Sequence, residues 1–287
     1  VVFRRNLGEH GRTVPHPLSH QAFWRAAAVA AVVLGAIAAG FATGLVTLAN
    51  LSQVTTGLII LAAVAYFAAM LTSSRVTALE RTRVRAFIPL FIANAVFWSL
   101  FQQIFTVLAV YSDERMNWSI FGWTAPSSWI GSIEPVWIIL LSPVFAVIWT
   151  KLGRRAPTTP RKFAYGVIGM GLAFLLFLPM AGTTGRSVPV LAVLAIMSVF
   201  AVSELLLSPI GLSVTTQLAP NAFRAQMMAL YFFSVGLGTA MSGVLARYYD
   251  PAHEFAYFGL IGTAAVMVGL VVWALAPWIS RLMEGVH

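Results

Sequence analysis

An all-α integral membrane protein with eight spans is the fold class this sequence predicts, and three observations carry the prediction. First, 59% of the 287 residues are hydrophobic and 9% are charged, with a mean hydropathy of +0.85, a balance that a water-soluble domain of this size does not have. Second, apolar runs long enough to cross a bilayer, about 20 residues at 1.5 Å each, can be bounded near 24–48, 54–73, 86–111, 134–150, 163–181, 189–217, 226–248 and 255–279. Third, fifteen of the eighteen Lys and Arg residues fall in the same set of alternate loops and tails, and only Arg115, Arg186 and Arg247 fall on the opposite side. By the positive-inside rule the basic side is cytoplasmic. Both termini are therefore expected in the cytoplasm, and the net charge of +9 needs no nucleic-acid partner.

Taken in order, residues 1–23 read as a basic, polar cytoplasmic linker punctuated by Pro15 and Pro17, without the apolar core of a signal peptide. The chain starts at Val1, in mid-loop, so sequence preceding it is expected to have been lost. Residues 24–74 form an uncharged hairpin of two spans in which Gly35, Ala39 and Gly40 suit close helix packing. In the third span Asn94, Trp98 and Gln102 share one helical face and Ser99, Gln103 and Thr106 an adjacent one, which predicts contact with water or ligand. Tyr111 to Ile133 reads as an external loop whose Trp118, Trp123 and Trp129 are interfacial belt residues. Glu134-Pro135 opens the fourth span with a proline at a tolerated first-turn position and an acid where the helix dipole favours one. Glu134 then either caps its helix or faces the mouth of a cavity. Gly166, Gly169 and Gly171 are spaced for helix packing, since no strand or phosphate-facing lysine accompanies them.

The sixth span holds the chemistry. Glu204 sits inside an otherwise apolar segment, and a charged side chain near the middle of a membrane helix costs roughly 2.5–3.5 kcal/mol on insertion scales. Such a group faces a cavity, a partner or a translocated substrate; the structural alternative is a protonated Glu bonded to a neighbouring helix. At 100° per residue Glu204, Ser208, Gly211 and Thr215 fall on one stripe, which predicts a cavity wall. Pro209 and Gly211 predict a kink or local unwinding one turn past the carboxylate, the broken-helix form of transporter binding sites. The chain has no cysteine, and its five histidines are expected in loops or tails, which disfavours disulfides, thiolate sites, metal sites and an intramembrane enzyme; no cofactor is expected.

Three stretches go beyond composition: Phe97-Trp98-Ser99-Leu100-Phe101-Gln102-Gln103, the segment from Leu152 through Pro160 to Phe163, and Ser203-Glu204 through Ser213 running on to Leu218-Ala219-Pro220. Together they resemble the proton-dependent oligopeptide transporter family of the major facilitator superfamily, in order along the whole chain. The resemblance implies a six-helix C-terminal half over 75–287, preceded by the inserted hairpin at 24–74, with the N-terminal six-helix half missing. It further implies proton-coupled symport of di- and tripeptides across the plasma membrane by a complete transporter. The alternative is a non-transporting half-bundle or the assembly partner of a separate N-terminal half. Glu204 matches the glutamate that in that family holds the peptide amino terminus, and Ser208 lies one turn along the same face. Trp98 matches a pocket aromatic, and Tyr231 stands where many members carry tryptophan. Two positions depart from the pattern: Gln102 replaces a glutamate, and Glu134 stands where asparagine usually precedes the proline. The implied partners are small peptides, protons, the lipid bilayer and the missing half.

Overall fold

The computed structural model describes residues 19–120 and 122–283. They contain eight helical segments long and apolar enough to cross a membrane, as the hydropathy pattern predicted. Two compact units divide the chain, Val1–Leu51 and Ser52–His287. The linker expected over 1–23 lies outside the described residues as far as position 18.

In the first unit, α1 spans His20–Ala42, so that His20 is helical rather than a loop residue. Its N-cap Ser19 accepts a hydrogen bond from the Ala22 amide at 3.2 Å, satisfying a donor that a helix start leaves unpaired. Beyond it, Asn50 closes the turn with its side chain, accepting from the Thr47 amide at 2.8 Å and donating to the Leu45 carbonyl at 3.0 Å.

The second unit runs from α2 (Leu51–Thr72) to the C-terminal helix. The first long span comprises α3 (Ala78–Phe101), one 3-10 turn at Gln102–Phe105, and α4 (Val107–Arg115). A capping box starts α3: the Glu80 amide donates to Thr77 Oγ1 at 3.2 Å while the Thr77 amide donates to Glu80 Oε2 at 2.9 Å. Next come α5 (Ile130–Leu152), α6 (Thr159–Leu175), α7 (Val190–Leu218), α8 (Arg224–Ala246) and α9 (Glu254–Leu282). Helices α6 and α9 form the most extensive pair. Glycine makes that approach possible, because a Cβ on Gly171 would meet the Gly262 carbonyl oxygen at 2.6 Å and a Cβ on Gly262 would meet the Gly171 carbonyl oxygen at 2.9 Å. Small residues drive association where lipid removes any hydrophobic difference between helix faces. The outward faces bear this out: Ile139, Leu140, Leu191 and Leu260 are all exposed, as lipid-facing side chains should be.

The end of the bundle that carries residues 111–133 differs from the expected loop. Tyr111 is buried within α4 and packs edge-on against Phe177 and Phe258. Two short strands, β1 (Met116–Asn117) and the later β4 (Val188–Pro189), pair in parallel, while β2 (Ser119–Ile120) and β3 (Trp123–Thr124) pair antiparallel. Trp118 is not a belt residue. It is 7% exposed and donates its indole N–H to the Ser112 carbonyl at 3.1 Å, pinning the hairpin to α4. Trp123 and Trp129 are exposed and tilted against each other, as interfacial residues would be.

A buried ion pair fastens this end. Glu254, 1% exposed, accepts from Arg115 Nε at 2.8 Å and from the Tyr249 hydroxyl at 3.1 Å on Oε1, and from the Gly182 amide at 3.2 Å on Oε2. Arg115 also donates to the Pro251 carbonyl at 2.8 Å. Three segments far apart in sequence, around Arg115, Gly182 and Tyr249–Glu254, meet at one carboxylate.

Candidate functional site

Glu204 lies near the middle of α7 and is half-buried, as the sequence predicted for a carboxylate in a membrane helix. Of the kink or local unwinding expected here, the unwinding is not found. Rather than unwinding past the carboxylate, α7 is helical without interruption from Val190 to Leu218, through Pro209. The proline still removes one helix hydrogen bond. Gly211 lies under the Tyr231 ring, where a Cβ would come within 2.9 Å of Cε2, and Thr215 Oγ1 donates to the Gly211 carbonyl at 2.7 Å. The predicted stripe therefore divides into two parts. Glu204 and Ser208 are half-buried, while Gly211 and Thr215 are packed into protein and line no cavity.

The interruption lies instead in the third span, where the helix passes through the 3-10 turn at Gln102–Phe105 and a non-helical Thr106 (φ −120°, ψ −93°). Neither proline nor glycine stands there. Side chains compete with the backbone: Thr106 Oγ1 donates to Gln103 Oε1 at 3.0 Å, and Gln103 Nε2 donates to the Ser99 carbonyl at 3.4 Å and the Ser242 carbonyl at 3.5 Å.

Most of the polar face predicted on this span to meet water or ligand meets α8 and α9. Asn94 Nδ2 donates to Ser234 Oγ at 2.6 Å, and the Tyr257 hydroxyl donates to Gln103 Oε1 at 3.2 Å. Asn94, Ser99 and Gln103 are all buried. A matching stripe on α8, Ser234, Gly238 and Ser242, sits four residues apart, and a Cβ on Gly238 would meet both the Ala95 carbonyl oxygen and Trp98 Cβ at 2.6 Å. Sequence reasoning missed this zipper, although the two stripes share a helical period and could have been matched.

Of the six candidate residues, four converge on the neighbouring helices α5, α7 and α8. The carboxyls of Glu134 and Glu204 stand side by side. The Tyr231 hydroxyl lies within hydrogen-bonding reach of Ser208 and close enough to Glu204 to feel its charge. Glu134 is not a cap. Helix α5 starts at Ile130, a full turn earlier than expected, so Glu134 and Pro135 lie inside the helix and the first turn holds no acid. The Glu134 residue is 5% exposed, and its Oε1 is buried with no hydrogen-bond partner among the described residues.

Trp98 and Gln102 sit on the α3–α8 seam, both half-buried. Trp98 packs edge-on against Phe97 and Phe101, and its indole nitrogen is buried without a partner among the described residues. Gln102 Nε2 donates to Thr239 Oγ1 at 3.2 Å. Among the described residues no group of three or more His, Cys, Asp or Glu side chains could hold a metal ion. A cleft of about 870 Å³ opens at the other end of α7, lined by Pro157, Thr159, Lys162, Pro209, Ser213 and Gln217. The Leu152–Phe163 segment singled out in the sequence forms much of its wall.

A multi-helix bundle that buries a carboxyl pair between apolar helices, beside an interrupted span, defines a multi-pass membrane protein of the transporter class. The chain belongs to the POT family (PTR2), whose description matches residues 46–261. It is 39% identical over 285 residues to the uncharacterized transporter YclF of Bacillus subtilis, covering 99% of this chain and 58% of that one. It is 38% identical over 229 residues to a di-/tripeptide transporter of Lactococcus lactis subsp. cremoris, covering 77% of this chain and 46% of the relative. Its fold is similar to the crystal structure of a peptide transporter POT in complex with sulfate, at a TM-score of 0.90 and 41% identity, over 99% of this chain and 59% of that chain. The chain thus spans about half the length of the relatives it matches.

Proposed function

We propose that this chain is the C-terminal half of a proton-coupled symporter for di- and tripeptides, with residues 24–74 as an inserted hairpin and 75–287 as the six-helix half. The observation that carries the reading is Glu204, a half-buried carboxylate near mid-helix with Ser208 and Tyr231 beside it, in a chain related to di-/tripeptide transporters. A carboxylate in a low-dielectric site binds a peptide ammonium through charge-assisted hydrogen bonds. Trp98 and Gln102 supply an aromatic wall and an amide on a facing helix, and Glu134 adds a second carboxyl. Among the described residues no Lys or Arg lies mid-span, so the peptide carboxylate is held by basic groups of an N-terminal half. Alternating access rocks one bundle against the other. The protein works in the plasma membrane, with the basic loops and both termini in the cytoplasm.

The test is Glu204→Gln in the protein expressed from its complete reading frame. Ordinary dipeptide uptake is lost while membrane insertion is retained. Uptake at wild-type level, with unchanged competition by amino-blocked peptides, rejects Glu204 as the ammonium partner. A second reading is a half-bundle that assembles with a separately encoded N-terminal half or does not transport. The coding sequence upstream of Val1 decides between them: six further spans in frame support the complete transporter.

A further inference from the structure

We propose that Glu134 and Glu204 form a proton-sharing pair, in which Glu134 carries a proton that it donates to the Glu204 carboxylate. The argument begins with what surrounds Glu134. It is 95% buried, counting its 5% exposure against the whole, and one of its oxygens has no hydrogen-bond partner among the described residues. A buried ionised carboxylate normally collects two or three donors or a cation, because desolvation of an uncompensated charge costs several kcal/mol. Glu134 has neither, and its neighbour is another acid.

The charged and titratable groups on the elements packed against α5 can be placed individually. From α7 the facing group is Glu204. On α8, Tyr231 stands beside Glu204. Helix α4 carries Asp113, Glu114 and Arg115 at the end of the bundle that carries residues 111–133, where Arg115 is committed to Glu254 and Asp113 accepts from Ser127 Oγ. Arg155 follows the far end of α5. None of these cations lies against Glu134. Two carboxylates side by side, desolvated and without a cation, do not both ionise; the pair keeps one proton. The O–H bond forms on the Glu134 oxygen nearer Glu204 as a hydronium ion reaching the half-buried Glu204 gives up a proton and becomes water, and the proton passes back to a water molecule, re-forming hydronium, when the pair ionises. Glu204 retains the single negative charge and is free to meet an ammonium group. A sodium ion held by the pair is the rival occupant, and it would need several oxygen ligands at once.

The uptake arm of the test rests on the transport reading above, whereas the spectroscopic arm rests on the pair alone, so the two can fail separately.

The experiment is infrared difference spectroscopy of the membrane-embedded protein from its complete reading frame, stepped in pH with glutamate 13C-labelled at the side-chain carboxyl. The expected result is a protonated-carboxyl C=O band that shifts with the label and in D2O. Glu134→Gln abolishes it. Glu134→Asp keeps a band that no longer shifts with the glutamate label, which also guards against misfolding of the Gln variant. Wild-type dipeptide uptake is expected to have a pH-dependent limb, and Glu134→Gln is expected to lose it. A wild-type spectrum without the band, a band unchanged in both variants, or a band that disappears only when sodium is added overturns the proposal.

Discussion

Removing Glu254 should be among the most damaging single changes in the bundle that leave the candidate site untouched. The carboxylate is 1% exposed and takes three hydrogen bonds, from Arg115, Tyr249 and the Gly182 amide. Glu254→Gln keeps the shape but removes the charge and turns one acceptor oxygen into a donor, which must face either the Gly182 N–H or the Arg115 guanidinium. Breaking a buried ion pair by removing one partner costs about 3–5 kcal/mol. The Arg115 side chain is 17% exposed and keeps part of its hydration, so a discounted cost of about 2–4 kcal/mol applies. At about 2–4 °C per kcal/mol for a unit of this size, the melting temperature should fall by roughly 5–15 °C. Tryptophan fluorescence melts in detergent suit the measurement, because buried Trp118 is bonded to Ser112 in the same corner. Replacing both partners, with Arg115→Met and Glu254→Leu together, should recover part of the loss, since an apolar pair leaves no uncompensated charge. A Glu254→Gln melt within about 1 °C of wild type, well below the expected shift, would refute the assignment of this ion pair as a fastener of its end of the bundle.

Other expectations follow from the same contacts. Gly238→Val should reduce folded yield severely, because its side chain meets the α3 backbone, whereas Gly57→Ala, where a Cβ meets no atom within 4 Å, should be neutral or slightly stabilising in detergent melts. Gln103→Leu strips the acceptor from the Tyr257 hydroxyl and should cost about 1–3 kcal/mol, measured as a lower melting temperature that Tyr257→Phe partly restores. Single cysteines at Ser128 and Thr158, both exposed, bracket α5 and should label oppositely with an impermeant thiol reagent, Ser128→Cys from outside only; the reverse would overturn the orientation. Asp250 is held below the usual carboxylate range by the Ala252 amide and by His253. Its contribution is therefore present above the ordinary aspartate range and lost as pH falls through the lowered value, so the melting difference between wild type and Asp250→Ala should shrink in acid.

The sequence by itself determined the lipid-facing architecture, because hydropathy is a local property: twenty apolar residues must cross wherever they occur, and eight runs of them give eight helices. It also singled out Glu204, since a carboxylate in an apolar run needs no neighbours to be conspicuous. Family membership was legible for a similar reason, in the uninterrupted run around Glu204. What it misjudged were features decided by partners distant in the chain. A kink or unwinding was expected at Pro209, where the residue chemistry is suggestive, yet α7 stays helical through it with Tyr231 packed over Gly211, and the interruption falls at Gln102–Thr106, where Gln103 and Thr106 bond to each other and to α8. Glu134 reads as a possible cap in sequence because Pro135 follows it, and only the start of α5 at Ile130 and the approach of α7 turn it into a buried acid beside Glu204. Trp118 and Glu254 have ordinary sequence surroundings; burial and hydrogen bonding to residues on other segments give them their roles. Hydropathy is additive along a chain, so sequence fixes which segments enter the bilayer. Hydrogen bonds between side chains on different helices depend on register and rotation, which only the packed bundle sets.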